Sequence, residues 1–458
     1  MAKAMTTAQI RCFTARGTLV AIGPKVRGIF RPVMEKVQIP QKVVRYTPGE
    51  KLLDGLITIL AGARGLVEAN KRVRPDRGLQ LAFGRTGCAE QSVISETFNA
   101  CTSENVTQMQ EAATEIFQQY SAAYRHNYEQ SLQLLDVDMT GMPCGKKAQM
   151  ATKGYFAKQR NRRGRQLGRV AATWYREIVV DRLFDGKTQL PVCFQSLVKE
   201  AEEVLELDEA QRQQTVLRVD SHGGSQDDVN WALKRGYLVH VKEYSGNRAV
   251  KLAASVQTWY DDPKCPGRQA GWVTTPANAY VRPVQRIAVR TRKRNGQWGI
   301  GVVISALTAE QVVPLARLPI DRVSDPEAVL WAYVYFYDLR GGGVETTIKE
   351  DKQGLGITKR NKKRFEAQQV LVQLNTLAHN IIIWAQKWLA PACPRLQSFG
   401  IFRMVRDVFQ YRGLVICNAD GRLAQITLDQ AEPLAKGICQ GLQALLAPWH
   451  VAVILGEI

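Results

Sequence analysis

The segment Leu132-Gln-Leu-Leu-Asp-Val-Asp138-Met-Thr140 decides the fold class, because it joins a short apolar run to acidic residues at the end of that run. A second segment of the same form, Thr215-Val-Leu-Arg-Val-Asp220, follows later in the chain. Short apolar runs of this kind predict buried β-strands. Each of the two predicted strands therefore ends in a carboxylate.

A third acid, Glu345, lies in Tyr337-Asp-Leu-Arg340-Gly-Gly-Gly-Val-Glu345-Thr-Thr-Ile-Lys-Glu-Asp-Lys352, where three glycines lead into a helix-like run. Seven residues span about two helical turns, so Glu345 and Lys352 are predicted to share a face, roughly 10 Å apart along the axis. A carboxylate near a helix start can hold a divalent cation, and a lysine two turns later can meet a phosphate. Together with Asp138 and Asp220, Glu345 predicts an oxygen-rich site of the kind that binds Mg²⁺.

Asp136 competes with Asp138 for the role of first ligand, because strand alternation puts both on one face. We favour a structural role for Asp136. The ordinary alternative for each acid is a turn or capping residue, and the ordered set of three favours catalysis.

The order of the predicted elements indicates an α/β fold. Two apolar runs, Val170–Tyr175 and Glu177–Leu183, and a helix over Ser196–Glu209 separate the two aspartates, and a strand over Tyr237–Lys242 follows. Strand, strand, strand, helix, strand is the order of an RNase H-like core. That core pairs its first and fourth strands, which would bring Asp138 and Asp220 together.

Composition along the chain predicts five regions. Residues 1–50 mix proline, glycine and basic residues without a clear period, and we expect a loose arm there. The predicted regions are a helical N-terminal DNA-binding region (1–125), the first part of the RNase H-like core (126–243), a β-rich insertion (244–325), the second part of the core with the glutamate helix (326–390), and a C-terminal region (391–458).

These acids and their contexts resemble those of the DDE transposases of bacterial insertion sequences, in the IS-four superfamily with a Tyr-Arg-Glu-Lys signature, the group related to the Tn-five transposase. Asp138 matches the first family aspartate in an Asp-x-Thr context, and Asp220 matches the second within Arg-Val-Asp-Ser. Glu345 matches the catalytic glutamate, with Tyr337, Arg340 and Lys352 as the rest of the signature. One departure stands out: four residues separate Arg340 from Glu345, where the family usually has three.

The resemblance implies two Mg²⁺ ions, or Mn²⁺, held by Asp138, Asp220 and Glu345. Such ions neutralise the entering and leaving oxygens of a phosphodiester during cleavage. It also implies that Tyr337, Arg340 and Lys352 contact terminal phosphates. The expected partners are the double-stranded inverted-repeat ends of the element and the target DNA, with a dimer assembled on those ends in the bacterial cytoplasm.

Charge supports a polyanionic partner. The 458 residues include 62 basic and 42 acidic ones, which gives a net charge of +20, and phosphate neutralisation dominates sequence-independent nucleic-acid binding. No apolar stretch approaches the roughly 20 residues of a membrane span. The nine cysteines are scattered and contain no Cys-x-x-Cys pair, which favours reduced thiols over a disulfide framework or zinc ribbon.

A dense basic run without acids follows the first aspartate, and we predict that it contacts DNA phosphates. Its members include Lys158, Arg160, Arg162, Arg163, Arg165 and Arg169. Trp298 lies beside a second basic cluster in the insertion and is a candidate for stacking on an unpaired base, although single tryptophans more often serve in packing.

The sequence therefore predicts a transposase that cleaves DNA and joins the freed 3′-hydroxyl to a target. Two alternatives remain at this stage. One is a metal-dependent nuclease of the same fold without strand transfer, and the other is a domesticated DNA-binding protein without catalysis.

Overall fold

The computed structural model describes residues 9–156, 159–220 and 223–458, so Lys158 and His222 lie outside the described residues. The strands are β1 (Ile10–Thr14), β2 (Gln133–Pro143), β3 (Thr152–Lys153), β4 (Arg163–Ala172), β5 (Glu177–Asp185), β6 (Thr215–Val219), β7 (Leu238–Lys242), β8 (Tyr260–Asp261), β9 (Arg268–Trp272), β10 (Gln285–Arg292), β11 (Trp298–Ser305), β12 (Gly413–Cys417), β13 (Leu423–Asp429) and β14 (Ala452–Gly456).

Helices and strands alternate along the chain, which gives a mixed α/β protein. The α-helices are α1 (Gly17–Ile29), α2 (Arg31–Lys36), α3 (Pro48–Leu60), α4 (Arg77–Ala82), α5 (Gln91–Ala100), α6 (Ser103–Tyr120), α7 (Leu190–Leu205), α8 (Glu209–Gln213), α9 (Gln226–Lys234), α10 (Gly246–Ala253), α11 (Ala309–Leu315), α12 (Pro326–Asp338), α13 (Val344–Glu350), α14 (Phe365–Leu389), α15 (Ile401–Arg403) and α16 (Ala435–Leu446). In the part of the chain that the structure describes, no helix is both long and apolar enough to cross a bilayer.

The chain forms two compact units, and neither is a single continuous segment. The first unit comprises the chain up to Ser121 together with Pro143–Ala151 and Thr347–Ile458, and the second comprises Ala122–Met142 and Thr152–Thr346. The division therefore falls within β2 and within α13.

The first unit is built around α14, which is buried along most of its length and packs against α3, α5, α6 and α16. A four-stranded sheet in the order β1-β12-β13-β14 completes this unit. β1 pairs antiparallel with β12, so the start of the described chain is held by a strand near its end. The loose arm expected over residues 1–50 is therefore wrong for residues 10–36, which form β1 and the helices α1 and α2.

The second unit contains a ten-stranded sheet in the order β3-β4-β2-β6-β7-β11-β10-β9-β8, with β5 paired to β4. The central pairs β2–β6 and β6–β7 are parallel. All of β6 is buried, as expected for a central parallel strand covered on both faces. The insertion strands β8–β11 continue this sheet, because β11 pairs antiparallel with β7.

Helix α12 leads the chain toward the predicted catalytic residues. Asp325 caps its first turn by accepting from the backbone nitrogens of Glu327 and Ala328, and Pro326 occupies the first position, where its fixed φ suits a helix start. The helix is apolar nearly all round and packs on β9, β10 and β11. Such a helix is buried on every side, and its C-terminal end therefore has a fixed place over the sheet.

Candidate active site

Two of the three predicted catalytic acids lie at corresponding positions of two neighbouring strands. β2 and β6 run parallel with Asp136 opposite Arg218 and Val137 opposite Val219. Asp138 is the next residue of β2, and Asp220 directly follows β6. The prediction that Asp138 ends its strand is wrong, because β2 continues to Pro143, whereas Asp220 does follow the end of β6.

Asp136 and Arg218, which lie two residues before Asp138 and Asp220 respectively, form a buried ion pair. Nε and Nη2 of Arg218 donate to the two carboxylate oxygens of Asp136, at 2.7 and 2.8 Å. The Thr173 hydroxyl donates to Asp136 at 2.6 Å, and Nη1 of Arg218 donates to the Phe336 carbonyl at 2.8 Å. These contacts tie β2, β6 and α12 together and satisfy the Asp136 carboxylate, so Asp136 is a structural residue.

Gly343, the third glycine before the glutamate helix, lies directly against this pair. A Cβ at this position would come within 2.5 Å of the Asp136 Oδ2 and within 3.0 Å of the Thr173 Cγ2. A Cβ at Gly341 or Gly342 would meet nothing within 4 Å. Only glycine therefore allows the chain to approach the sheet where α13 begins.

Glu345 lies in the first turn of α13, and Arg340 connects it to Asp138. Arg340 sits in a 3₁₀ turn over Leu339–Gly342 and is only 4% exposed. Its Nη2 lies 3.0 Å from the Asp138 Oδ2, and its Nη1 donates to the Glu345 Oε1 at 2.8 Å. The Glu345 side chain is 54% exposed. One guanidinium thus bridges the first and third predicted catalytic acids.

The electrostatics of this cluster reflect three nearby carboxylates. Burial raises the pKa of Asp138 to about 6, Arg340 opposes that rise, and the charges of Asp220 and Glu345 add to it. The pKa of Arg340 is raised although burial acts to lower it, because Asp138 and Asp220 stabilise its charge. Burial also raises the pKa of Tyr337, which stays a neutral hydroxyl. The cluster therefore favours added positive charge.

The donor chemistry of the three acids suits a hard divalent cation, which prefers carboxylate oxygens. Among residues 9–156, 159–220 and 223–458, however, no three acidic, histidine or cysteine side chains are drawn together closely enough to form a metal site. Arg340 contacts two of the three predicted ligands, Asp138 and Glu345, so the guanidinium occupies the place that a metal ion would share with these oxygens.

Lys352 does not share an α-helix with Glu345. α13 ends at Glu350, and a π-helical segment over Asp351–Leu355 carries Lys352. The chain then turns at Gly356, which has a φ of +62° in the left-handed region. The prediction of one uninterrupted α-helix from Glu345 to Lys352 is therefore wrong, because its last two residues belong to a π-helical segment, and the shared face stays a prediction.

The basic run divides into exposed and buried members. Arg160, Arg162 and Arg163 are exposed. Arg165 is 1% exposed on β4, so its prediction as a phosphate contact is wrong. Arg169, on the same face of that strand, is also buried and pairs with Asp181 through Nε and Nη2 at 2.8 and 2.7 Å. Alternation places Arg163 on the same face as these two arginines, but Arg163 is the first residue of β4 and is exposed there, whereas the rest of the strand is buried.

Trp298, the predicted base-stacking residue, begins β11 and is 38% exposed. The Arg290 guanidinium lies 4.7 Å from its ring centroid and 4.1 Å from that of Trp259. Nε of Arg290 also donates to the Gln269 side chain at 2.7 Å. Part of the Trp298 indole is therefore used in a cation–π contact within the protein.

Sequence reasoning missed Arg218 as the residue that neutralises Asp136. The available signal was an arginine within an otherwise apolar strand run, since such a residue needs a buried acid beside it. It also missed that Arg340 bridges two of the acids, a contact that depends on how the 3₁₀ turn meets the sheet.

Comparisons with known proteins give a likeness among solved structures. No family model matches the chain. No curated protein matches it either. Among solved structures, the chain is similar to a piggyBac transposase in a synaptic complex with hairpin DNA, at 10% sequence identity and a TM-score of 0.44, over 88% of this chain and 83% of that one. A likeness at this level leaves the function to be argued from the site itself.

Proposed function

We propose that this protein is a DDE transposase of the bacterial insertion-sequence type, which cleaves the ends of its element and joins them to target DNA. The observation that carries the proposal is that Asp138 and Asp220 occupy corresponding positions on the adjacent parallel strands β2 and β6, with Glu345 linked to Asp138 through Arg340. The spatial strand order β5-β4-β2-β6-β7 supports an RNase H-like core. If these strands are numbered by their position along the chain, the order across the sheet is 3-2-1-4-5, as in that core.

In this proposal Asp138, Asp220 and Glu345 hold Mg²⁺ or Mn²⁺ when the site is loaded. Bound divalent cations supply charge neutralisation at the entering and leaving oxygens of the phosphodiester. The buried Asp136–Arg218 pair keeps the two strands in register. Gly343 lets α13 approach them, so Glu345 lies in the same cluster.

Contacts to DNA come from residues beside the acids and from further basic residues. Tyr337 keeps its hydroxyl proton and can donate a hydrogen bond to a phosphate oxygen, while Arg340 supplies positive charge. Lys352, which belongs to the first unit, is proposed as a further phosphate contact. Arg160, Arg162 and Arg163 extend the positive surface within the second unit. Lys158 and Trp298 remain candidates for this interface, and Arg165 is withdrawn because it is buried.

The test is an assay with duplexes taken from the DNA that brackets the gene, a supercoiled target plasmid and Mg²⁺. We expect Asp138→Asn, Asp220→Asn and Glu345→Gln each to reduce cleavage by several orders of magnitude while duplex binding stays within about twofold, because affinity comes from distributed phosphate contacts. Asp227→Asn, an exposed acid on α9, is the matched control and should cleave like the wild type.

The same assay separates the alternatives. Cleavage without joined product supports a nuclease that lacks strand transfer. Duplex binding without any cleavage, even in the wild type, supports a DNA-binding protein without catalysis. Full activity in Asp138→Asn would contradict the proposed site.

A further inference from the structure

Arg340 occupies a place that two proposed metal ligands share. Its guanidinium is 4% exposed and lies 3.0 Å from Asp138 and 2.8 Å from Glu345. Arg218, the other buried arginine nearby, is committed to Asp136 and to the Phe336 carbonyl. Arg340 thus contacts two of the proposed catalytic acids, Asp138 and Glu345, directly.

A cation is required at this place whether or not a metal is present. Asp138 is largely buried, and the charges of Asp220 and Glu345 act on it. Like charges that share a buried site are unfavourable unless a positive charge compensates them. Arg340 supplies that charge from within the chain, and a divalent cation bound to the same oxygens would be repelled by it.

The chain around Arg340 is built to let it move. Upstream, α12 is buried almost throughout its length. Downstream, Gly343 is fixed against Asp136 and Arg218. Between them, Gly341 and Gly342 are exposed, and no atom lies within 4 Å of where their Cβ would be. Two hydrogen bonds hold the turn that carries Arg340, one from the Gly343 nitrogen to the Arg340 carbonyl and one from the Thr346 hydroxyl to the Gly341 carbonyl. The two exposed glycines leave the turn room to change conformation when these bonds open.

We propose that Arg340 is an internal counter-cation that keeps metal affinity low in the DNA-free protein and is drawn away by a phosphate of the DNA end. This inference rests on the proposed function. A guanidinium binds phosphate through two parallel N–H donors, so a phosphate can replace the two carboxylates as its partner. Metal loading is thereby coupled to DNA binding, and by linkage the coupling is reciprocal.

The test is Mn²⁺ affinity, measured from the electron paramagnetic resonance signal of free Mn²⁺ in titrations of the full chain without DNA. We expect Arg340→Gln to bind Mn²⁺ about tenfold or more tightly than the wild type, within the usual range of coupling between sites. Arg340→Lys, which keeps the charge, should stay close to the wild type. Arg322→Gln, an exposed arginine of the same unit paired with Asp325, is the matched control.

Two further arms locate the effect. Adding Glu345→Gln to Arg340→Gln should remove the gained affinity, since it deletes a proposed ligand. Adding a short duplex should tighten Mn²⁺ binding in the wild type and leave Arg340→Gln nearly unchanged. Circular dichroism and thermal unfolding check that each variant is folded. If Arg340→Gln does not fold, the test is the effect of the duplex on Mn²⁺ affinity in the wild type.

Equal or weaker Mn²⁺ binding by folded Arg340→Gln, or no effect of the duplex on the wild type, would overturn the inference. The outcome for the proposed function is separate. Tight Mn²⁺ binding by Arg340→Gln with no cleavage by the wild type would support the counter-cation and reject the transposase. Wild-type cleavage with unchanged Mn²⁺ affinity in Arg340→Gln would do the opposite.

Discussion

At the scale of single residues, Asp136 and Asp138 show how two acids on one strand face take different roles. Asp136 is fully buried and accepts two hydrogen bonds from Arg218 and one from Thr173. Asp138 shares its arginine with Glu345 and also feels the charge of Asp220. The hydrogen bonds of Asp136 are therefore satisfied within the fold, whereas burial raises the pKa of Asp138, so its carboxylate form is held at a cost to stability.

We predict that Asp138→Asn stabilises the fold at pH 8 by up to about 3 kcal/mol, because one pKa unit corresponds to about 1.36 kcal/mol. The pKa of Asp138 is raised from 3.8 to about 6, so the native state takes up its proton at a higher pH than the unfolded chain. The cost of the charged form is full above pH 6 and disappears as the pH falls from 6 toward 3.8. Urea unfolding of both proteins at pH 8 and at pH 5 measures the free energies.

Asp136→Asn is the matched control, and we expect it to be destabilising at both pH values. Breaking a buried, doubly hydrogen-bonded pair typically costs about 3–5 kcal/mol. If Asp138→Asn proved no more stable than the wild type at pH 8, the conclusion that Asp138 is a strained carboxylate would fail.

At the scale of elements, the site depends on how the start of α13 approaches Asp136 on β2. A side chain on the residue before Val344 would force its neighbours to shift, because a Cβ at Gly343 would lie 2.5 Å from the Asp136 Oδ2. The neighbouring glycines have no such restriction. The three adjacent glycines therefore have different functions. Gly343 allows the chain to pack closely against Asp136, whereas Gly341 and Gly342 give the backbone conformational freedom.

We predict that Gly343→Ala destabilises the protein by about 1–3 kcal/mol, the usual cost of overpacking. Gly342→Ala should change the free energy of unfolding by less than about 1 kcal/mol, since its Cβ would point into open space. Guanidinium unfolding of the two variants measures the difference. Equal effects of the two substitutions would show that α13 does not require close approach at Gly343.

At the scale of the whole molecule, the basic residues behind the net charge of +20 are divided between structure and surface. Arg165, Arg169 and Arg218 are among the largest fully buried side chains. Arg160, Arg162 and Arg163 are exposed. Buried arginines are balanced by buried acids such as Asp136 and Asp181, so the net positive charge remains at the surface, where it can attract a polyanion.

We predict that replacing Arg160, Arg162 and Arg163 together by glutamine weakens duplex binding and flattens its salt dependence. Each lost phosphate contact should lower the slope of log affinity against log salt by about 0.9. Fluorescence anisotropy between low and moderate salt measures that slope. Replacing Lys199, Lys234 and Lys251, three exposed lysines of the second unit, removes the same charge and should have a smaller effect. Equal slopes for both triple variants would place DNA elsewhere.

Much of the local structure follows from the chain itself. The apolar runs that end in Asp138 and Asp220 fold as β2 and β6, and the glycine-led run that contains Glu345 starts as a helix. Each of these depends on side-chain periodicity and on glycine positions, which act over a few neighbouring residues. Local patterns also predicted the basic run as a whole, but they could not show that Arg165 is buried while Arg160, Arg162 and Arg163 are exposed.

Sequence by itself determined where the three acids lie and which kinds of element carry them. Tertiary structure decided their partners: Arg218 for Asp136, Arg340 for both Asp138 and Glu345, and β12 for the N-terminal strand β1. These contacts join residues that are up to several hundred positions apart, so their energies depend on the register of strands and the path of turns. Side-chain patterns over a few neighbouring residues cannot specify contacts between residues so far apart, so only the tertiary structure determines which basic residue pairs with which acid.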